Sequence, residues 1–221
     1  MYEFVHESEY CQYREYCSGI LKTVCVLLKE KGISAQFTLI GSGARNMVTR
    51  NGNGPYDLDY NLIIVKALDE YWKNPRRLKE TVRLALNQSA KPNRFDDAQD
   101  STSCLSVILH YDDTPEIEFK FDVGIIWKMP DSDDVRLIHN KNVLPNGQFI
   151  WNKVPQSRNL KEKERILKKD NLWEDVRNQY LALKKMYLSR QDRNHPSFVV
   201  YVEAVNQVYD KHYLHLRRVG L

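Results

Sequence analysis

Glycine and proline are sparse, 9 and 8 in 221 residues, so the chain is neither collagen-like nor a low-complexity polymer. A hydrophobic content of 42% likewise excludes a wholly disordered chain. Long apolar runs are missing: none approaches the roughly 18 residues that span a bilayer. The start, MYEFVHESEYCQYREYC, is acidic and broken by polar residues, unlike a secretory leader. The expectation is a cytoplasmic protein without a membrane span. Cysteine is scarce as well. Cys11, Cys17, Cys25 and Cys104 include no CxxC pair and no histidine at ligand spacing, which speaks against zinc and for small apolar side chains. The length suits one large domain or two small ones.

What the chain does have is charge, unevenly placed. The net value is only +4. Residues 1–135 nevertheless carry 16 Lys and Arg against 21 Asp and Glu, whereas residues 136–221 carry 17 against 8. An acidic half beside a basic one could hold a polyanion over a cation site; solvated helix faces also collect Lys and Arg.

Tyr10, Tyr13, Cys17, Ile20, Val24 and Leu28 recur at spacings of three and four and predict an amphipathic helix over 8–31. Alternation from Ala35 to Ile40 predicts a short strand that runs into Gly41-Ser42-Gly43 and a helical stretch beyond. A second strand is expected over 56–65. Asn74-Pro75 suits the opening of a helix, because Asn caps and Pro fits the first helical position. Residues 104–111 and 116–127 read as a hairpin joined by Asp112-Asp113-Thr114-Pro115, with Phe119, Phe121 and Val123 on one face and Glu118, Lys120 and Asp122 on the other. After a poorly patterned stretch, helices are expected near 157–169, 171–189 and 196–210. The expected class is α+β, with a sheet domain over 1–135 and a basic helical domain over 136–221.

Within PYDLDYNLIIV the period of two puts Asp57 and Asp59 on one strand face. Two such carboxylates repel one another unless a cation intervenes, and hard oxygen ligands suit Mg²⁺ completed by a substrate phosphate. Gly41-Ser42 upstream could receive that phosphate, and Asp122 in FKFDVGI offers a third carboxylate. Arg45, just inside the Gly-Ser turn, is a further candidate phosphate contact.

In LIGSGARN, YDLDYNL and FKFDVGI, taken in this order, the chain resembles the DNA polymerase β superfamily of nucleotidyltransferases. Its pattern is closest to the core shared by poly(A) polymerases, oligoadenylate synthases and bacterial cyclic-oligonucleotide synthases. The resemblance implies a nucleotidyltransferase palm, a mixed sheet flanked by helices, followed by a small helical domain. It implies that Asp57, Asp59 and Asp122 hold two Mg²⁺ or Mn²⁺ ions and that Ser42, beside Gly41, contacts a nucleoside triphosphate. The 14 residues from Ser42 to Asp57 form a long gap for that family. VRNQYLALKKMY is similar to the helix from which a lysine reaches the triphosphate in these enzymes, and on that match the lysine is Lys185, with Lys184 next.

The activity implied is template-independent transfer of a nucleoside monophosphate from a triphosphate to an acceptor hydroxyl, with release of pyrophosphate. RNA, a second nucleotide, a small molecule and a protein side chain all remain as acceptors. A catalytically silent nucleotide- or RNA-binding module on the same fold is the alternative, and the intact set of three aspartates favours the enzyme.

Overall fold

In the computed structural model, residues 2–112, 114–130, 132–145, 147–154, 158–192 and 195–218 are described, and Asp113 of the expected hairpin turn lies outside them. The chain divides into two compact units, Val5–Val154 and the pair of segments Met1–Phe4 with Pro155–Leu221.

The larger unit begins with α1 (Glu7–Glu30), after the strand β1 (Tyr2–Phe4) of the smaller one. His6 starts the helix by accepting the Ser8 amide, while Glu9 reaches back to the His6 amide. The predicted stripe is the buried face, with Tyr10, Cys17, Ile20, Val24 and Leu28 all inside. There follow β2 (Ser34–Ile40), β3 (Thr49–Asn51), β4 (Tyr56–Lys66), the short α2 (Asp69–Lys73), and α3 (Pro75–Ala90). Asn74 caps α3 by accepting the Arg77 amide at 3.0 Å. Strands β5 (Gln99–Asp100), β6 (Leu105–His110), β7 (Ile117–Trp127), β8 (Val135–Asn140) and β9 (Gln148–Lys153) complete the unit.

The sheet runs β2-β4-β7-β6-β5, with β8 continuing from one end of β7 and β9 pairing with β8. Strands β4 and β7 are parallel and every other pair is antiparallel, which makes the sheet mixed. Alternation gives it two unlike faces. Leu58, Tyr60, Leu62, Phe119, Phe121 and Val123 join α1 and α3 in one apolar core. Asp57, Asp59 and Asn61 on β4, and Lys120 and Asp122 on β7, occupy the other face.

Two expectations are corrected. The helical stretch after Ser42 is a single 3-10 turn, Gly43–Arg45, ended by Asn46 in the left-handed region at φ 55°, and β3 follows within the long gap before Asp57. The sheet domain does not end at residue 135 either: 136–154 supplies β8 and β9, and the division falls between Val154 and Pro155.

The smaller unit contains α4 (Arg158–Lys169), α5 (Trp173–Ser189) and α6 (Ser197–Arg218), close to where the periodicity predicts them. Leu167, Val176, Tyr180, Val200, Ala204 and Val205 are buried in it. The architecture is therefore α+β, a mixed sheet flanked by helices and then a helical segment. No helix among the described residues is long and apolar enough to cross a membrane.

Candidate active site

Parallel pairing of β4 with β7 sets Asp59 opposite Asp122 and Asp57 opposite Lys120. One carboxylate oxygen from each of Asp57, Asp59 and Asp122 lies within 4.8 Å of the others. The three predicted ligands converge. Lys120, two residues before Asp122 on the same strand face, puts its ammonium 3.5 Å from Asp57 Oδ2 and 3.6 Å from Asp122 Oδ2. From β6, paired at this level, the Ser106 hydroxyl donates to Asp122 Oδ1 at 2.5 Å and leaves Oδ2 facing the cluster.

The cluster has more negative than positive charge. Burial, reinforced by the charges of Asp57 and Asp122, pushes the Asp59 carboxyl up to about 6 from 3.8, although Lys120 and Arg136 pull the other way. Burial opposes the charge of Lys120, yet Asp57 and Asp122 outweigh it and leave the ammonium pKa raised. Lysine is thus the resident cation of a site built from hard oxygen donors, and those donors fit Mg²⁺ or Mn²⁺ by number, chemistry and proximity.

The Gly-Ser turn lies alongside. Ile40, the last residue of β2, pairs with Asp59, so Gly41 follows immediately beside that carboxylate. Gly41 has φ +63°, and a Cβ here would fall 2.6 Å from Asp59 Oδ2. Both the backbone and the close approach therefore demand glycine. Ser42 opens the 3-10 turn without a capping bond from its side chain, so its hydroxyl is not consumed as a cap. Arg45 Nη1 donates to the Gly41 carbonyl at 2.8 Å and clasps the turn from within.

Two residues further along the same face, Arg136 on β8 donates to Asn61 Oδ1 at 3.2 Å, and its buried Nε has no hydrogen-bond partner among the described residues. Gly124 leaves the room for this: a Cβ there would lie 3.3 Å from Asn61 Oδ1 and 3.6 Å from Arg136 Nε.

No family model and no curated protein matches the sequence. Solved structures do. The chain is similar to Escherichia coli MS115-1 CdnC with ATP (14% identity over 95% of this chain and 67% of that one, TM-score 0.53). It is similar to Vibrio cholerae DncV in its 3'-deoxy ATP form (15% identity, 80% and 46%, TM-score 0.52). A third likeness is to the Elizabethkingia meningoseptica CdnE cyclic dinucleotide synthase with GTP and Apcpp (14% identity, 92% and 69%, TM-score 0.51). This is the nucleotidyltransferase fold. The chain spans about half the length of DncV.

Against that fold, the residues that sequence reasoning left without a role are Ser106, Lys120, Asn61 and Arg136. Lys120 had a signal, since it shares the strand face of Asp122. Ser106 and Arg136 had none, because only strand pairing brings them near.

Lys184 and Lys185 belong to α5 in the smaller unit, both half-buried, with the Lys184 ammonium 5.5 Å over the Tyr180 ring.

Proposed function

We propose that the protein is a template-independent nucleotidyltransferase that moves a nucleoside monophosphate from a triphosphate to the hydroxyl of a second nucleotide. The observation that carries the reading is the convergence of Asp57, Asp59 and Asp122 beside the Gly41-Ser42 turn. The nucleotides bound by CdnC, DncV and CdnE support a triphosphate donor, and the cyclic dinucleotide synthase CdnE supports a nucleotide acceptor over RNA, a small molecule or a protein.

Asp57, Asp59 and Asp122 would hold two divalent ions. Ions so held would act as Lewis acids on the phosphates and would screen them from the carboxylates. The chain's own groups do the rest. Asp122, fixed through Oδ1 by Ser106, turns Oδ2 to Lys120 and the cluster, where it would favour deprotonation of the acceptor hydroxyl. That oxygen attacks the α-phosphorus, the bond to the β-phosphate breaks, and pyrophosphate leaves with the bonding pair. Gly41 lets the triphosphate approach closely, and Ser42 offers it a hydroxyl. Arg45 acts here by holding the turn. The likeness of VRNQYLALKKMY assigns Lys185, with Lys184 next, to the charge that develops on pyrophosphate.

The test is incubation of the purified protein with Mg²⁺ and each radiolabelled triphosphate, singly and in pairs, with and without RNA. Pyrophosphate and a labelled oligonucleotide or cyclic product are expected without RNA. Triphosphate binding with no pyrophosphate released would instead identify a silent module.

A further inference from the structure

Lys79 is a lysine that the transfer chemistry does not use, with a side chain only 4% exposed. It lines a cavity of about 360 Å³, a size typical of ligand clefts. Leu105 lines the same cavity, and since strand neighbours alternate, the cavity lies on the opposite sheet face from Ser106 and the carboxylates.

One face of α3 forms the wall, with Arg76, Lys79, Glu80 and Arg83 at the first, fourth, fifth and eighth positions of two turns. The Lys79 ammonium is ion-paired with Asp100, 2.5 Å from Oδ1, and donates to the Ser101 carbonyl at 2.6 Å. His139 braces Asp100 from β8, Nδ1 to Oδ2 2.8 Å, with its ring stacked at 4.0 Å on Phe149 of β9. Arg83 is forked onto Glu80 at 2.9 and 2.6 Å. Arg76 has no ion-pair partner among the described residues; its guanidinium stands 6.0 Å over the Phe149 ring.

Two arginines and Lys79 therefore face two carboxylates around one open cleft. Structural ion pairs account for Lys79 with Asp100 and for Arg83 with Glu80, but not for Arg76 on the same wall. Arg76 and Arg83 sit about 10 Å apart along the helix, with Lys79 between them. Guanidinium forks at that separation match the oxygens of a chain of phosphates better than those of a single anion. We propose that this cavity is a second ligand site, and that its ligand is a small polyphosphate, inorganic or the tail of a nucleotide, bridged from Arg76 to Arg83 across Lys79.

The inference stands apart from the transferase reading, because it can be tested without divalent ions. In EDTA at low salt, three carboxylates that share one lysine repel phosphate, so binding there reports on the basic cavity. Inorganic pyrophosphate and ATP are titrated separately against the whole protein by calorimetry, with thermal unfolding as a second readout. Saturable binding and a melting temperature that rises with ligand are expected from both if phosphates alone are read, or from ATP alone if the nucleotide is the source. Arg76→Gln and Arg83→Gln keep a good helix former at positions outside the core and should each weaken binding by about tenfold or more. Circular dichroism verifies that each variant is folded. The proposal is overturned if neither ligand saturates at millimolar concentration, or if both glutamine variants bind as the parent does.

Discussion

On one face of the sheet three carboxylates share a single lysine; on the other a buried lysine leans on a single aspartate, with two arginines alongside. The first cluster is left short of compensating charge, and burial with like-charge neighbours raises Asp59 to about 6. In the second, burial lowers Lys79, and the Asp100 carboxylate only partly restores it. An imbalance of either sign costs stability, and each is relieved by a ligand of the opposite sign. Stability and function should therefore respond to opposite kinds of substitution on the two faces.

The largest effect belongs to the carboxylates. Asp57→Ala or Asp59→Ala should lower turnover by about 10³-fold or more in protein that still folds. Pyrophosphate release with Mg²⁺ measures it, and a folded Asp59→Ala variant with full turnover would refute the site. Next comes Lys79→Met, which leaves Asp100 to His139 alone and should cost about 1 to 3 kcal/mol in urea unfolding. Lys185→Ala should reduce kcat/KM by about 10 to 100-fold, or about 1.4 to 2.7 kcal/mol, with Lys184→Ala milder.

Asp59→Asn should do the reverse to stability. Because its carboxyl titrates at about 6 in the fold and near 4 when unfolded, ionisation destabilises the native state as pH rises between those values. The metal-free variant should gain about 1 to 3 kcal/mol over the parent above pH 6, and nothing below about pH 4. A pH series of unfolding curves in EDTA decides this; a gain that persists at low pH would trace to packing instead. The smallest effect is that of Ser42→Ala, a few-fold rise in KM for the triphosphate, about 1 kcal/mol.

Legibility in the sequence followed physical contrast. Aspartates alternating with fully buried apolar residues announced β4, β7 and all three carboxylates, because the two sheet faces differ so sharply there. Strands β8 and β9 have no such contrast: on β8 only Leu137 is buried, and on β9 no residue is. The stretch that holds them therefore read as poorly patterned. Charge reinforced that error. Divided between Val154 and Pro155, the larger unit carries 19 Lys and Arg against 20 Asp and Glu and the smaller 14 against 9, a weaker contrast than the cut at 135 suggests. Ser106 and Arg136 depend on register, which one-dimensional alternation does not encode. The missing helix after Ser42 has a local cause, since Asn46 turns left-handed after a single turn.

The parallel pairing of β4 with β7 has a consequence for biogenesis. Asp57 and Asp59 leave the ribosome well before Asp122, with α2, α3, β5 and β6 synthesised in between. A parallel neighbour cannot be recruited through a tight turn, and the closure entropy of that long crossover is paid late. A nascent chain therefore carries Asp57 and Asp59 on a strand paired with β2 alone, and the three carboxylates come together in one step, when β7 slots between β4 and β6.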